Sequence, residues 1–324
     1  MRPSVASGTA RADRSPFAED VEYYLSLTPR QLPSQYLYDD LGSALFEAIC
    51  ALPWYRITRA EQQLLAAHAA DIVADASPLS TFIELGPGSG VKLATLLSAT
   101  GDDPQATVHL VDVSAAALDN ATRSLDAFPG AHVVAHQAEY EAGLGELAHT
   151  RRRPGCALAL FLGSNIGNFD PPGAASFLRS IRSSLAPGDR FLMGADLVKP
   201  ARDLLLAYDD PLGVTAAFNR NLLVRANREL GANFDLDGFC HRAIWNEQAS
   251  RVEMHLVSRR AQRVQIPDAR LDVSFASGET IWTESSYKYR TGEILEMLGQ
   301  AGFSPSAQWV DERSAFALTL VRAT

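Results

Sequence analysis

The run IELGPGSG at 83–90 places Gly86, Gly88 and Gly90 directly after the strand-like TFIEL and before a helical stretch from Val91 to Ala99. A strand that breaks into glycines and resumes as a helix is the turn at which a parallel sheet opens its ligand crevice. Glycine serves there because it adopts backbone angles closed to other residues and lets a ligand approach without a Cβ in the way. The spacing is ExGxGxG, beginning at Glu84. The dinucleotide fingerprint is GxGxxG, so the third glycine arrives one position early and a nicotinamide or flavin cofactor is less well supported.

The rest of the chain is consistent with that turn. Apolar runs at 81–85, 108–113, 132–136, 157–163 and 190–196 alternate with helical segments such as 91–99 and 174–185. This rhythm predicts an α/β fold, a parallel sheet with helices on both faces. Asp112 ends the second run, where a carboxylate can accept both ribose hydroxyls of a nucleoside by charge-assisted hydrogen bonds. Glu139 and Tyr140 follow the third, placed to meet and pack against an adenine, and Lys92 can face a carboxylate of cofactor or substrate. Before the sheet, residues 1–15 are expected to be disordered and 16–59 to form a helical cap; Thr58 and Glu61 are spaced as a capping box for a helix to Ala74. After Asp196 the rhythm changes: 199–229 reads as helix and 251–285 as antiparallel strands, a second unit inserted into the first. A helix at 291–302 and two strand-like runs around a turn at 311–313 close the chain.

Composition narrows the partners. A net charge of -9 over 324 residues leaves no basic surplus for a phosphate backbone, so a small-molecule partner is expected and nucleic acid is not. No run of about eighteen uncharged apolar residues and no signal-peptide core occurs, which predicts a cytoplasmic protein with no membrane partner. Cys50, Cys156 and Cys240 lie far apart with no CxxC pair and are read as buried free thiols. No metal site is expected: His132 and His136 share a strand-like run without an adjoining carboxylate, and the other five histidines are scattered. There is no GxSxG elbow and no cysteine with a motif partner, so covalent nucleophilic catalysis lacks its groups.

Four stretches are more specific: LPSQYLYDDLGSALFEAICALPWYRITRAE (32–61), FLGSNIGNF (161–169), AYDDPLGVTAAFNRNLL (207–223) and TESSYKY (283–289). Through them the chain resembles the histidine N-alpha-methyltransferases that open ergothioneine biosynthesis, over nearly its whole length. The resemblance implies S-adenosylmethionine (SAM) as cofactor and a Rossmann-like class I methyltransferase sheet, of residues 60–198 and 287–324, ending in an antiparallel hairpin. It also implies an inserted α+β substrate-binding domain, 199–286, completed by 16–59, with the active site between the two and three methyl groups added in succession to the histidine α-amino nitrogen. The glycine loop GPGSGVKLA is less polar than the GSGTSEKT-like run of that family, a departure expected to alter cofactor contacts rather than the reaction.

The same resemblance assigns substrate residues. Tyr55 and Asn168 match positions holding the amino acid's carboxylate and amino group, Tyr208 matches a further carboxylate contact, and Tyr38 stands near the methyl-accepting nitrogen. Met254 matches a wall of the imidazole pocket, Phe46 is a similar apolar candidate, and Thr215 is either a polar contact or a first-turn residue. Glu284 and Ser286 are two apart in a strand-like run, so they share a face and suit the two nitrogens of one imidazole. Tyr38 and Asn168 are the expected catalytic pair, acting on the amine. A monomer is expected. The open alternatives are another acceptor, tryptophan or a thiohistidine, a non-catalytic SAM-binding module, and a nicotinamide-dependent oxidoreductase.

Overall fold

The computed structural model describes residues 14–101, 105–150 and 154–324, with the side chains of 148–150 left aside; most of the expected disordered start lies outside the described residues. Helix α1 (Pro16–Ser26) begins at Ser15, whose side chain accepts the Ala18 N–H at 3.2 Å, and buries Phe17, Val21 and Leu25 along one stripe. A two-residue strand β1 (Arg30–Gln31) follows, then α2 (Asp40–Ala51) and α3 (Ile57–Asp75). Residues 16–59 were expected to form a helical cap; β1 instead pairs parallel with a late strand and ties this segment into a sheet. The capping box at Thr58 and Glu61 is not formed: the helix starts one residue earlier, without a side-chain cap, and Glu61 turns inward.

The alternating part then runs β2 (Leu79–Leu85), α4 (Val91–Ser98), β3 (Thr107–Asp112), α5 (Ala115–Leu125), β4 (His132–Gln137), α6 (Tyr140–Thr150), β5 (Cys156–Phe161), α7 (Pro171–Ser184) and β6 (Arg190–Asp196). Helices α8 (Ala201–Tyr208) and α9 (Val214–Leu230) precede the strands β7 (Phe239–Asn246), β8 (Arg251–Ser258), β9 (Gln262–Ile266), β10 (Leu271–Phe275) and β11 (Thr280–Tyr287). Helix α10 (Thr291–Gln300) and the hairpin β12 (Phe303–Asp311) and β13 (Phe316–Ala323) end the chain.

The larger sheet has the order β12-β13-β6-β5-β2-β3-β4, with β13 antiparallel to both neighbours and the remaining pairs parallel. Helices cover both faces, which is why β2, β5 and β6 read as continuous apolar runs rather than alternating ones. From β2 the chain steps outward to β3 and β4, then returns to place β5 on β2's other side. That reversal is the topological switch point, and the loops after β2 and β5 flank it. The smaller sheet, β1-β11-β8-β7, and the separate β9/β10 hairpin stand apart from it, joined by the bridge between Leu197 and Tyr289.

The cysteines are reduced but half-buried rather than buried. Among the described residues no helix is long and apolar enough to cross a membrane.

Candidate active site

Two adjoining cavities occupy the switch point. The larger, about 680 Å³, is walled by Gly86, Gly88, Asp112, Ser114, Glu139 and Tyr140 on the sheet side, facing Tyr38, Asp40 and Phe46. The narrow one, about 30 Å³, is lined by Tyr38, Phe46, Tyr55, Asn168, Tyr208, Thr215, Phe218, Met254, Glu284 and Ser286. Tyr38, Phe46, Asn165 and Asn168 belong to both walls.

Backbone geometry sets the first cavity. Gly88 has φ +55° and open space where a Cβ would stand, so the main chain itself faces the cavity. Asp112 accepts the Ser114 N–H at 2.8 Å through one carboxylate oxygen, and burial raises its pKa. Three predicted cofactor residues stand outside the cavity wall. Gly90 packs its Cα on α5, where a Cβ would lie 2.8 Å from the Ala121 Cα. Lys92 pairs with Glu61 at 2.6 Å. Glu84 is buried with no hydrogen-bond partner on either oxygen, and burial pushes its pKa up to about 8 against the pull of Lys92.

Sequence reasoning missed Glu61. Its oxygens accept the Gly163 N–H at 2.8 and 2.9 Å, anchoring the turn after β5 that carries Asn165 and Asn168. Space for it exists because β6 has Gly194, where a Cβ would lie 1.9 Å from the Glu61 Oε1.

The second cavity draws on four distant segments. Tyr38 is followed by Asp39, whose carboxylate caps α2 at the Gly42 N–H (2.8 Å) and takes a 2.6 Å bond from Asn221 of α9. Gly42 is required: a Cβ there would lie 1.6 Å from the Leu37 carbonyl oxygen. Tyr208 ends α8, and its carbonyl accepts the His241 Nε2–H at 2.8 Å; the other ring nitrogen accepts from Asn219 at 2.9 Å, which fixes that tautomer. The turn after it is held by Asp210, which accepts the Thr215 N–H at 2.7 Å. Thr215 is both a first-turn residue and a cavity residue, its hydroxyl buried without a partner.

An aromatic wall closes this cavity: Tyr38 meets Phe46 at 5.5 Å and Phe218 at 5.4 Å, and Tyr55 meets Phe46 and Tyr208 at 6.3 Å each, all edge-on or near it. Burial, then the facing Glu284 carboxylate, holds the Tyr38 phenol well above its ordinary pKa. Burial likewise raises Glu284 to about 7, with Lys288 pulling it down. Asn165 and Phe218 were not anticipated, although both lie in motifs singled out from the sequence, FLGSNIGNF and AYDDPLGVTAAFNRNLL.

Among the described residues no group of three metal-ligating side chains gathers. A carboxylate does reach His136, contrary to expectation, since Glu146 lies 3.1 Å from its Nδ1.

Comparison with known proteins places this geometry. The family model of the SAM-dependent, histidine-specific methyltransferases matches residues 17–323. The chain is 42% identical over 303 residues to the histidine N-alpha-methyltransferase of Mycolicibacterium smegmatis, covering 93% of each. It is 41% identical over 323 residues to the histidine N-alpha-methyltransferase of Mycobacterium tuberculosis, covering 99% of each. The L-tryptophan methyltransferase of Psilocybe serbica is 27% identical over 322 residues, 91% of this chain and 88% of that one. With a match running from Phe17 to Ala323 and two relatives at 42% and 41% identity, the chain belongs to the SAM-dependent, histidine-specific methyltransferase family.

Proposed function

We propose that the larger cavity binds SAM, that the residues lining the narrow one bind L-histidine, moving apart from the roughly 30 Å³ they now enclose to admit it, and that the chain methylates the histidine α-amino nitrogen three times, giving the betaine hercynine at the first step of ergothioneine biosynthesis. One observation carries this reading: four motifs scattered from residue 32 to residue 289 contribute Tyr38, Asn168, Tyr208, Glu284 and Ser286 to one pocket that shares a wall with the glycine-loop cavity. The identity to curated histidine N-alpha-methyltransferases supports the same acceptor.

The residues present fit SAM. Glu84, orphaned and buried behind the cavity wall, can supply negative charge toward an ammonium group such as that of the methionine part, which would in turn favour its ionised form, and Asp112 retains an oxygen for ribose hydroxyls. Glu139 and Tyr140 suit the adenine edge and face, while Gly86 and Gly88 supply the close approach. Gly90 and Lys92 serve this site from behind, through helix packing and the Glu61 pair. When bound, SAM supplies a methyl group already activated by its sulfonium, so that no covalent enzyme intermediate is needed.

The chain's own residues align and deprotonate the amine. Asn168 and Tyr55 orient it toward the shared wall, while Tyr208, whose phenol proton goes to Ser286 at 2.8 Å, borders the carboxylate without donating to it. Tyr38 stays a neutral phenol at neutral pH, because burial holds its pKa high. Its oxygen therefore accepts the ammonium N–H as its own hydroxyl proton leaves to water in the larger cavity, so that Tyr38 relays one proton outward, stays a neutral phenol, and the nitrogen keeps the electron pair of the broken N–H bond. The aromatic wall of Phe46, Tyr55 and Phe218 suits the growing methylammonium, whose N–H donors disappear as methyl groups accumulate. Met254 and Phe46 supply apolar wall, and Glu284 with Ser286 reads the ring.

The domain division fits this arrangement. Residues 60–198 and 287–324 form the SAM-binding part, and 16–59 with 199–286 the substrate-binding part. The pairing of β1 with β11 supports joining the N-terminal segment to the insert.

The test is mass spectrometry of the purified protein with SAM and a mixture of amino acids including histidine and tryptophan. Histidine gaining three methyl groups is expected. Methylation of tryptophan alone would overturn the acceptor while keeping the chemistry, and no methylation of any amino acid would overturn the enzymatic reading.

A further inference from the structure

Lys288 is a buried cation with no role in the chemistry described above. It lies two residues beyond Ser286 and four beyond Glu284, on the same face of the β11 end, and its side chain is 0% exposed. An ammonium has three hydrogens, and three oxygens surround this one: Tyr208 Oη at 2.9 Å, Ser286 Oγ at 2.9 Å and Asp196 Oδ2 at 3.0 Å. Burial opposes its charge, but Asp196 and Tyr208 more than offset that and raise its pKa, so Lys288 is charged at every working pH. It does not line the pocket. It touches Tyr208 and Ser286, which do.

The direction of the hydrogen bonds follows from this count. The Tyr208 and Ser286 hydroxyls are 2.8 Å apart, so one proton lies between them, and the phenol, the stronger acid, donates it. Ser286 Oγ then accepts from both Lys288 and Tyr208, which engages both of its lone pairs. Its own proton is left for the cavity.

We propose that Lys288 is a positioning residue that makes Ser286 a fixed hydrogen-bond donor, so that the pocket selects an acceptor ring in its neutral form, with one unprotonated nitrogen to receive that bond. The proposal rests on the reading that the histidine ring lies against Glu284 and Ser286. A neutral imidazole matches a donor at Ser286 and a carboxylate at Glu284, whereas an imidazolium brings a second N–H to a serine that has no lone pair to offer. The charges facing this point agree. Asp196 of β6 is shared between Lys288 and Lys199, the latter 2.5 Å away, which leaves that cluster with a surplus positive charge. Glu284 on β11 is the acidic group in the pocket, and the phenols of Tyr38, Tyr55 and Tyr208 are held neutral by burial.

The experiment compares L-histidine with β-(1,2,4-triazol-3-yl)-L-alanine, whose ring keeps a donor and an acceptor nitrogen but is far less basic and stays neutral. Methylation of each is followed by mass spectrometry from about pH 5 to about pH 8 for the wild type, Lys288→Met and Ser286→Ala. The ratio of the two kcat/KM values cancels the amino-group titration that both substrates share. In the wild type, the histidine-to-triazole ratio is expected to fall roughly tenfold per pH unit below the ring's ordinary pKa of about 6.5. In Lys288→Met, Ser286 can accept a bond, and the fall is expected to shrink below about twofold over the same range. Ser286→Ala leaves the Asp196 ion pairs intact and is expected to flatten the ratio in the same way, so a poorly folding Lys288→Met does not decide the matter. A wild-type slope retained in Ser286→Ala, or a triazole that the wild type does not methylate, overturns the proposal. A wild type that methylates no histidine at any pH overturns the functional reading beneath it instead.

Discussion

Removing the Glu61 carboxylate probes how the loop carrying Asn165 and Asn168 is held. Glu61 is 0% exposed, accepts the Gly163 N–H through both oxygens and pairs with Lys92 at 2.6 Å. In Glu61→Ala the Gly163 donor loses its partner inside the protein, at a cost of about 1–3 kcal/mol. The Lys92 ammonium loses its counter-ion; breaking a buried pair costs about 3–5 kcal/mol, and the low end applies because the Lys92 side chain keeps 22% exposure. With both taken at their low ends, these predict a loss of about 4 kcal/mol. An unfolding entropy of about 2.1 cal/mol/K per residue, over 324 residues, converts that to a fall in Tm of about 6 °C. The assay is scanning calorimetry, with kcat/KM for histidine as a second readout, which falls because the Gly163 turn carries Asn165 and Asn168. Gly194→Ala supplies an independent check, since its Cβ would stand 1.9 Å from Glu61 Oε1. The two substitutions act on one contact, so the double variant should lose less than the sum of the singles. A Glu61→Ala Tm within about 1 °C of wild type, or strict additivity with Gly194→Ala, would refute the reasoning.

Other substitutions separate the two cavities. Asp112→Ala should weaken SAM binding by roughly 10- to 100-fold, the loss of about 1.5–3 kcal/mol expected for a charge-assisted bond, and calorimetry finding unchanged affinity would remove its ribose role. Glu284→Ala should reduce kcat/KM for histidine by a similar factor while changing SAM affinity less than about twofold; equal losses would contradict the division. Glu284→Gln should stabilise the ligand-free protein: a carboxyl raised from 4.5 to about 7 by folding destabilises the fold increasingly as pH rises through that window. The advantage, on the order of 3 kcal/mol, should be full at about pH 8 and nearly absent at about pH 4.5, read as the difference in Tm between variant and wild type. Tyr38→Phe should slow methylation at every pH by roughly 10- to 100-fold, less than the loss of a stored-proton base would cause, and an unchanged rate would exclude its oxygen from the proton path.

The parallel strands were readable from the sequence because both faces of β2, β5 and β6 are covered, so each is a continuous apolar run bounded by glycine or a polar turn. The residues proposed to hold substrate were readable only through motif resemblance, since one tyrosine such as Tyr55 looks like any packed aromatic. What escaped the reading was set by partners distant in the chain. Glu61 stands where a capping box would use it, but its carboxylate serves Gly163, 102 residues away. Strand β1 has two residues, too few for any periodicity, and exists because β11 offers an edge.

Lys288 is the instructive case. Its alternation with Glu284 and Ser286 was visible in TESSYKY, yet a lysine at a strand end is ordinarily a solvated one. What makes it a buried cation is Asp196 at the end of β6, brought beside it by the bridge between Leu197 and Tyr289 that joins the two sheets. The same bridge brings the face of β11 that carries Glu284 and Ser286, proposed to read the ring, to the C-terminal end of the parallel sheet, where the glycine loop also opens. One connection between the sheets therefore sets both the distance of the acceptor from the cofactor cavity and the charge behind Ser286. Substitutions at Asp196 should accordingly disturb acceptor selection and methyl transfer together, whereas those at Glu284 should disturb selection first.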